Sequence, residues 1–347
     1  MATLLAIETS CDETAVAVIR GLTGHRAEIL ASEISSQIAL HREHGGVVPE
    51  VASRDHSLRL DGLIRRALDQ AGTAIGEIDA FAATSGPGLA SSLLVGTSAA
   101  KGMACALDRP FIGVNHLEGH LLSPFIEISE VPPHLALIVS GGHTLLIDVA
   151  GAGRYRRLGS TRDDAAGEAF DKVGKMLGLP YPGGPEIEQA ARDGDPAAFA
   201  FPRSMLATDH FDFSFSGLKT AVLYTLRDLT GPPPVADIAA SFQQAVIEIL
   251  VGKTLRAAAA TGHTRVAVSG GVSLNRPLRS ALAMACGDAG LAFTAADPRW
   301  CTDNAAMIGF AALLRHHEGR HSPLDEDIDP NLKLASDDGV CEHNPSP

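Results

Sequence analysis

The chain opens with two short apolar runs separated by a polar turn. Residues 4–7 and 15–19 are apolar, whereas residues 8–14 are mostly polar and rich in hydroxyl side chains. Short apolar runs bounded by turn residues are typical of buried strands. The pattern predicts a hairpin whose turn can hold a phosphate or its metal, with an ordinary polar hairpin turn as the alternative.

The rest of the first half reads as an α/β crossover layout. Apolar periodicity and Gly-rich punctuation alternate along the chain. A strand, a tight turn and a helix followed by another strand and helix are typical of α/β folds. The predicted elements are helix 50–71, strand 78–84, turn 85–88, helix 91–107 and strand 110–115, followed by a helix that carries residues 115–120.

The same order of elements starts again after Pro132 and Pro133. The second half therefore repeats the first in element order rather than in residue identity. The repeated elements are strand 135–139, turn 140–144, strand 145–149, strand 264–268, loop 269–275, helix 277–287, strand 291–295 and helix 302–316.

The duplication predicts two domains. Residues 1–130 form the first half, residues 131–334 the second half with an insert over 151–231, and residues 335–347 a polar flexible tail. Within the insert, the patterns predict helix 167–177, an extended loop over 179–185 and an edge strand over 211–219.

Composition narrows the classes of protein. The chain is 45% hydrophobic and rich in Gly, which fits close helix–sheet packing. No basic segment precedes the first strand, and no apolar run reaches the roughly 18 residues needed to cross a bilayer. Five cysteines lack C-x-x-C spacing, so we interpret them as reduced thiols of a cytosolic protein.

A formal net charge of −13 argues against broad electrostatic attraction to nucleic acid. Two local surfaces are exceptions to consider. Arg154, Arg156, Arg157 and Arg162 are candidates to contact a phosphate backbone, or belong to a solvated loop. The polar segment 37–59 is either a solvated helix face or part of an RNA-contacting surface, and within it Arg54, Asp55 and His56 receive no role.

The sharpest chemical signal is a pair of histidines. His116 and His120 are four residues apart, so they lie on one face of a helix and can bind one metal ion. Glu118 lies between them and points away, unlike the glutamate of His-Glu-x-x-His. If the two halves face one another across a cleft, Asp303 is the third ligand, and helix capping is its alternative role. Two histidines and a carboxylate suit Fe(II), and also Zn(II).

Taken together, the motifs resemble the tRNA N6-adenosine threonylcarbamoyltransferase family, bacterial type, once labelled glycoprotease. The resemblance covers almost the whole chain in family order. The matching segments are residues 7–14, 45–53, 85–88, 115–120, 139–144, 170–172, 215–219, 268–275 and 303–304.

The resemblance implies a duplicated actin-like ATPase fold (actin/Hsp70/sugar-kinase, RNase H-like) with a central inter-domain cleft. It implies transfer of a threonylcarbamoyl group from threonylcarbamoyl-AMP to N6 of adenosine 37 in tRNAs that read codons starting with A. The anticodon loop offers that adenosine unstacked at low cost. The expected products are the modified adenosine and AMP.

Residue by residue, the resemblance assigns metal binding to His116, His120 and Asp303, with one Fe(II) per subunit or Zn(II). Glu13 and Asp12 are candidates to remove the N6 proton. The implied substrate-binding residues are Val139, Ser140, Gly141, Gly142, His143, Asp171, Gly184 and Asn275.

The family also implies partners: an inactive paralogue of the same fold (TsaB-like) as a heterodimer partner and a small P-loop ATPase (TsaE-like), with no membrane and a cytoplasmic location. Three other functions remain open. They are a zinc metalloprotease, a small-molecule kinase or ATPase of the same fold, and a non-catalytic scaffold in an RNA-modification complex.

Overall fold

A computed structural model describes residues 1–21, 26–128 and 130–334. The expected tail, 335–347, lies outside the described residues. The described chain divides into two compact units. The first unit combines residues 1–132 with 296–334, and the second spans residues 133–295.

The first unit is built on a mixed sheet of five strands among the described residues, in the order β3-β2-β1-β4-β5. β1 pairs antiparallel with β2 and parallel with β4. Residues 4–7 of β1 are fully buried, as expected for a central strand covered on both faces. The strands are β1 Thr3–Glu8, β2 Glu13–Gly21, β3 Ala27–Ser36, β4 Ala80–Gly86 and β5 Phe111–Asn115.

Helices pack against this first sheet. α2 and α3 contact strands β1 to β4, while α10 contacts β1, β2 and β5 and also α4. The helices are α1 Ile38–Arg42, α2 Pro49–Ala71, α3 Ala90–Leu107, α4 His116–Leu122 and α10 Ala305–His317, with short 3-10 turns at Ile75–Glu77, Ser123–Phe125 and Pro298–Trp300.

The second unit repeats the first sheet. Its strand order among the described residues is β10-β9-β6-β7-β8. β6 pairs antiparallel with β7 and parallel with β9, as β1 does with β2 and β4. The duplication read from the sequence is therefore confirmed. The strands are β6 His134–Val139, β7 Thr144–Gly151, β8 Arg154–Ser160, β9 Arg265–Ser269 and β10 Ala292–Ala295.

The helices of the second unit bury a core around Phe170, Phe213, Phe215 and Phe242. They are α5 Ala166–Met176, α6 Gly183–Ala190, α7 Ser216–Asp228, α8 Val235–Thr261 and α9 Arg276–Asp288, with 3-10 turns at Ala191–Asp193 and Gly271–Leu274.

Three details differ from the sequence interpretation. The last helix, α10, lies in the first unit rather than with the second half, because its apolar residues pack on β1 and β2. The expected loop 179–185 gives way to α6 at Gly183. The expected edge strand 211–219 forms only an isolated bridge between Phe213 and Thr161, and α7 begins at Ser216.

α8 is the one described helix long and apolar enough to cross a membrane by length and composition alone. Polar residues interrupt the apolar sequence of α8, so it is not one continuous apolar run. Phe242, Ile249 and Leu250 on α8 are fully buried within the second unit. A helix buried in this way is a core helix of its unit.

Candidate metal centre and associated sites

The histidine helix α4 starts where strand β5 ends. The side chain of Asn115 caps it, because Asn115 Oδ1 accepts a hydrogen bond from the amide of Leu117 at 2.9 Å. Asn115 Nδ2 also donates to the carbonyl of Leu332 at 3.3 Å. Both histidines of the helix are buried, so their positions are fixed by packing as well as by the cap.

His116, His120 and Asp303 come together in the first unit. Asp303 Oδ1 lies 3.0 Å from His120 Nε2 and 3.5 Å from His116 Nε2. The two rings meet edge to face, with centroids 4.8 Å apart. One ligand atom from each residue lies within 4.8 Å of the others, so the group can hold one metal ion. Asp303 was expected in the second half of the chain. In the structure it lies in the first unit, together with α10.

Asp303 does not cap α10. That helix starts at Ala305, and Asn304 is its N-cap, with Oδ1 accepting from the amide of Met307 at 2.9 Å. Glu118 likewise faces away from the histidine nitrogens, as predicted, because its Oε2 accepts from Arg315 at 2.5 Å. The capping alternative for Asp303 is therefore wrong, and Glu118 is occupied by a buried ion pair.

A fourth residue, Glu8, fixes the orientation of His116. Glu8 lies at the end of β1 with no exposed surface, and its Oε2 lies 3.0 Å from His116 Nδ1. Since a carboxylate accepts hydrogen bonds, Nδ1 carries a proton, and Nε2, on the side of Asp303, is the nitrogen that can bind a metal ion. Sequence reasoning missed this role of Glu8, because 108 residues separate the two partners.

The electrostatics of this group favour a positive charge. Burial lowers the pKa of His116, but the carboxylates of Asp303 and Glu8 outweigh it and raise that pKa to about 9. Burial likewise acts to raise the pKa of Glu8, and the charge and hydrogen bond of His116 outweigh it, so that pKa is lowered. The negative charges of Asp303 and Glu8, which stabilise a protonated His116, would also stabilise a bound metal cation. The donor set therefore fits the expected metal.

The two candidate proton acceptors are Asp12, in the turn between β1 and β2, and Glu13, the first residue of β2. Burial, followed by the charges of Asp303 and Asp12, raises the pKa of Glu13 well above its usual value. Burial, followed by the charges of Asp12 and Asp303, raises the pKa of the Cys11 thiol well above its usual value. These shifts show that the turn and Asp303 share one electrostatic environment in the first unit.

The predicted substrate turn of the second unit joins β6 to β7. Val139 is buried, whereas Gly141 and Gly142 are exposed with open space at the position of a side chain. A Cβ on Gly167 would lie 2.5 Å from the carbonyl of Ser140, and a Cβ on Gly270 would lie 2.3 Å from that of Val139. His143 donates its backbone N–H to Ser140 Oγ at 3.1 Å. Glycines thus let α5 and the Ser269–Gly270 turn approach the backbone of this turn.

The other three predicted substrate residues occupy two places in the second unit. Asp171 Oδ1 accepts from the amide of Gly183 at 2.7 Å, next to Gly184, so these two lie together. Asn275 caps α9 through Leu278 and donates to Gln243 Oε1 at 2.7 Å. Its side chain is thus engaged within the unit, a role that its place after a Gly-rich loop did not reveal.

The two surfaces considered for RNA contact differ in the structure. Of the basic cluster, Arg156 pairs with Asp148 at 2.6 Å and Arg162 with Asp212 at 2.5 Å, which reduces its net positive charge. In the segment 37–59, Gln37, His41 and His56 are completely buried. Those three residues are not part of a solvated face.

Comparisons with known proteins identify a family that this chain matches. The family described as TsaD, tRNA N6-adenosine threonylcarbamoyltransferase, matches residues 28–310. A protein of that name from Methylibium petroleiphilum is 49% identical over 96% of this chain and 98% of its own length. Another from Ralstonia pickettii is 52% identical over 90% of this chain and 91% of its own length.

Solved structures support the fold. HypF from T. kodakarensis superposes with a TM-score of 0.65 at 15% identity, over 92% of this chain and 48% of HypF, so the chain spans about half of that protein. The activator of the 2-hydroxyisocaproyl-CoA dehydratase from Clostridium difficile, solved with bound ADPNP, superposes with a TM-score of 0.52 at 14% identity, over 92% of this chain and 96% of its own.

These neighbours agree with the actin-like ATPase fold expected from the duplication. A family match over most of the sequence and near-50% identity along almost the full length establish the relationship. The chain therefore belongs to the TsaD family of tRNA N6-adenosine threonylcarbamoyltransferases.

Proposed function

We propose that this chain transfers the threonylcarbamoyl group of threonylcarbamoyl-AMP to N6 of adenosine 37 in tRNAs that read codons starting with A, releasing AMP. The observation that carries this proposal is the near-50% identity to enzymes named for the reaction, over 96% of the chain. Neither peptide hydrolysis nor phosphoryl transfer by a small-molecule kinase has comparable support. Glu118, the residue on which a protease reading depends, is held by Arg315.

The metal centre is His116, His120 and Asp303, and one Fe(II) per subunit is the metal that this donor set suits, with Zn(II) as the alternative. When bound, such an ion supplies Lewis-acid polarisation of a carbonyl or phosphate oxygen. The supporting geometry is the convergence of both Nε2 atoms on Asp303 Oδ1, at 3.0 and 3.5 Å. Glu8 supports it by holding the proton of His116 on Nδ1.

The exposed backbone of Gly141 and Gly142 binds the acyl-adenylate, together with Val139, Ser140 and His143. Backbone N–H groups without side chains in front of them suit phosphate or a developing oxyanion. Asp171, Gly184 and Asn275 complete the nucleotide site. Asn275 contributes by fixing the start of α9, since its side chain is already bonded to Leu278 and Gln243.

The attacking amine must lose a proton as it is acylated, and Glu13 and Asp12 are the candidate acceptors. A carboxylate with a raised pKa is a stronger base than an ordinary one when it is ionised. The pKa of Glu13 is raised by burial and by the neighbouring carboxylates of Asp303 and Asp12. Cations at the metal centre oppose the effect of those carboxylates and favour ionised Glu13.

Partners and location follow from the same family membership. We expect a TsaB-like paralogue as a heterodimer partner, a small TsaE-like P-loop ATPase, and action in the cytoplasm on the tRNA anticodon loop. The acidic net charge of −13 favours a partner that supplies basic surface for the RNA.

A single-turnover assay tests the reaction. Purified protein, alone and with both partners, is mixed with threonylcarbamoyl-AMP and unmodified tRNA, and adenosine 37 is measured by nucleoside mass spectrometry. We expect product from wild type and a loss of roughly 100-fold or more in His116→Ala and Asp303→Ala. The matched control is His321→Ala, an exposed histidine outside the metal group.

Two results would contradict the proposal in different ways. Undiminished transfer by folded His116→Ala and Asp303→Ala would leave the reaction standing and remove the metal centre. No transfer by wild type with both partners present would remove the reaction itself.

A further inference from the structure

Three buried polar side chains form a continuous chain of hydrogen bonds in the first unit. Gln37 precedes α1, His41 lies on α1 and His56 lies on α2. None of the three has any exposed surface. Buried polar groups cost free energy unless they are bonded, so each contact of this chain matters.

Backbone groups fix the polarity of the chain at both ends. At one end the amide of Val48 donates to His41 Nδ1 at 3.3 Å. At the other end His56 Nε2 lies 2.9 Å from the carbonyl oxygen of Cys11. Because an amide N–H can only donate and a carbonyl can only accept, both histidines carry their proton on Nε2.

Gln37 links the two rings in one orientation. Its Nε2 donates to the carbonyl of Ala52 at 3.3 Å and to His56 Nδ1 at 3.2 Å. Its Oε1 lies 3.1 Å from His41 Nε2, and therefore accepts from it. A flipped amide would place its NH₂ group against the proton of His41 and its oxygen against the carbonyl of Ala52, so these contacts fix the orientation of the Gln37 amide.

The chain ends on the turn that carries Asp12 and Glu13. Thr14 Oγ1 lies 2.7 Å from His56 Nδ1, and the backbone amide of Gln37 donates to the carbonyl of Asp12 at 2.9 Å. With the bond to Cys11, this network holds Cys11, Asp12 and Thr14, which lie on both sides of Glu13. The residue on the other side of the turn, Ser10, has its Oγ 3.1 Å from Nδ1 of the metal-binding His116.

We propose that His56 is a positioning residue for the transfer reaction. Supported by Gln37 and His41, it holds the turn from Cys11 to Thr14, and so the carboxylates of Asp12 and Glu13, in register with the metal centre. This inference rests on the proposed function. It gives a role to part of the segment 37–59, which the sequence pattern predicted to be either a solvated helix face or an RNA-contacting surface.

The role requires His56 to stay neutral. Burial lowers the pKa of His56 below its usual value, although the Cys11 carbonyl and the carboxylates of Glu8 and Asp55 favour the charged ring. A second proton, on Nδ1, would face the amide group of Gln37 and break the bond between Gln37 and His56, leaving Thr14 Oγ1 to accept that proton. The neutral ring thus agrees with the geometry.

Kinetics on the full chain, with its partners and metal, test the proposal. His56→Leu leaves the Cys11 carbonyl and the Gln37 amide without this partner, and misplacement of the turn should lower the single-turnover rate roughly 100-fold. The KM for tRNA should change less than about twofold, because the network contacts no RNA in this role. His56→Gln, whose amide offers one donor and one acceptor, should restore part of the rate.

The matched control is Leu63→Ala. Leu63 is fully buried on the same helix and lies in the apolar core rather than in the network. The Leu63→Ala substitution should lower the midpoint of thermal unfolding while keeping the rate within a few-fold of wild type. If His56→Leu loses no more activity than Leu63→Ala at equal thermal stability, His56 is only structural and the proposal is wrong.

A spectroscopic readout does not depend on activity. In protein labelled with ¹⁵N-histidine, the resonances of His56, assigned by their disappearance in His56→Gln, should report a neutral ring protonated on Nε2 at pH 7. Gln37→Glu replaces the donor with a carboxylate and should add a proton to Nδ1. If His56 of the wild type is protonated on Nδ1, the proposal is wrong, whether or not the protein is active. If His56 is protonated on Nε2 as expected but the wild type is inactive, the proposed transfer reaction is wrong instead.

Discussion

At the scale of single residues, the carboxylate of Glu8 serves three neighbours at once. It accepts from the amide of Ser10 at 2.5 Å, from Thr84 Oγ1 at 2.5 Å and from His116 Nδ1 at 3.0 Å. Ser10 and Thr84 hold the carboxylate, and the carboxylate holds the ring. Partners of this kind set the tautomer and the basicity of a metal-binding histidine.

The first prediction follows from this arrangement. Glu8→Gln should weaken metal binding by about 10–100-fold, because an amide neither carries the charge nor accepts as strongly from Nδ1–H. Competition with a chromophoric chelator for Zn²⁺ or Fe²⁺ measures the affinity. Glu318→Gln, which removes an exposed carboxylate paired with Arg320, is the control. Equal affinities for wild type and Glu8→Gln would show that Glu8 does not support the metal centre.

A second prediction concerns pH and Asp163 in the second unit. Asp163 accepts from the hydroxyls of Ser214 and Ser216 at 2.5 and 2.6 Å and from the amide of Phe215 at 2.8 Å. Although burial acts to raise it, these bonds lower the pKa of Asp163 below its usual value. The folded state therefore binds this proton more weakly than the unfolded chain does. Its stabilisation is complete above the ordinary pKa of about 4 and is lost as pH falls through the lower folded pKa.

Because Asp163 is an exposed residue and solvent screens its charge, Asp163→Ala should lower the free energy of unfolding by only about 1 kcal/mol at pH 7. The difference from wild type should shrink steadily below about pH 4. Denaturant unfolding at a series of pH values measures both effects, with the exposed Asp209→Ala as the control. A difference that stays constant down to pH 2 would mean that the charge of Asp163 is not involved.

The sequence showed only part of the metal centre at this scale. Spacing alone paired His116 with His120 and turned Glu118 away from them, because helix geometry relates residues that are close in the chain. Glu8 was not predictable in this way, since its contact depends on how β1 lies beside α4. Asp303 was predicted to lie with the two histidines, and it does, although it was expected in the second half.

At the scale of elements, the contact between α4 and α10 brings His120 and Asp303 together. Gly119 allows this contact: a Cβ there would lie 2.9 Å from Ile308 Cδ1 and 3.0 Å from Met307 Cγ on α10. Both distances are shorter than ordinary carbon contacts, so a larger residue must separate the helices or displace those side chains.

The third prediction is that Gly119→Val pushes α4 away from α10. We expect a loss of about 1–3 kcal/mol in the free energy of unfolding and a clear loss of metal affinity, because the Nε2–Oδ1 distances increase. Thermal unfolding with and without Zn²⁺ measures both. Gly62→Ala on α2, where the nearest atom to the new Cβ lies 3.5 Å away, should instead be neutral or slightly stabilising. If Zn²⁺ raises the unfolding temperature of Gly119→Val as much as that of wild type, this account is wrong.

The segment 211–219, which includes the start of α7, was wrongly predicted from the sequence pattern. Alternating Phe and polar residues over 211–215 favoured an edge strand. Asp163 explains why a helix begins instead: its carboxylate accepts from the amides of Phe215 and Ser216. These are unpaired helix-terminal donors, and their acceptor lies 52 and 53 residues away, beyond any local pattern.

At the scale of the whole molecule, the first unit is made of two separate stretches of chain, 1–132 and 296–334. The later stretch supplies α10, which packs against β1, β2 and β5. The sequence predicted the duplication because each half repeats the same element order. It did not predict where α10 lies, because residues 305–314 are apolar all round and would suit either sheet.

The fourth prediction uses this discontinuity. A chain ending at Ala295 should lose metal binding and leave residues 1–132 open to proteolysis, while a fragment close to 133–295 stays protected. Limited proteolysis read by mass spectrometry tests it, and a chain ending at Leu334, which keeps every described residue, is the control. Protection of 1–132 equal to that of the control would mean that α10 is dispensable to the first unit.

The same discontinuity sets an order of events on the ribosome. Roughly 160 residues are synthesised between Pro132 and Ala296, which takes about 8–30 s at roughly 5–20 residues per second. The contiguous second unit can fold as it emerges. During that interval the face of the first sheet that α10 later covers stays exposed to solvent. The nascent chain is therefore most exposed to aggregation before the stretch that begins at Ala296 appears. The metal can be loaded only after Asp303 has been synthesised, late in translation.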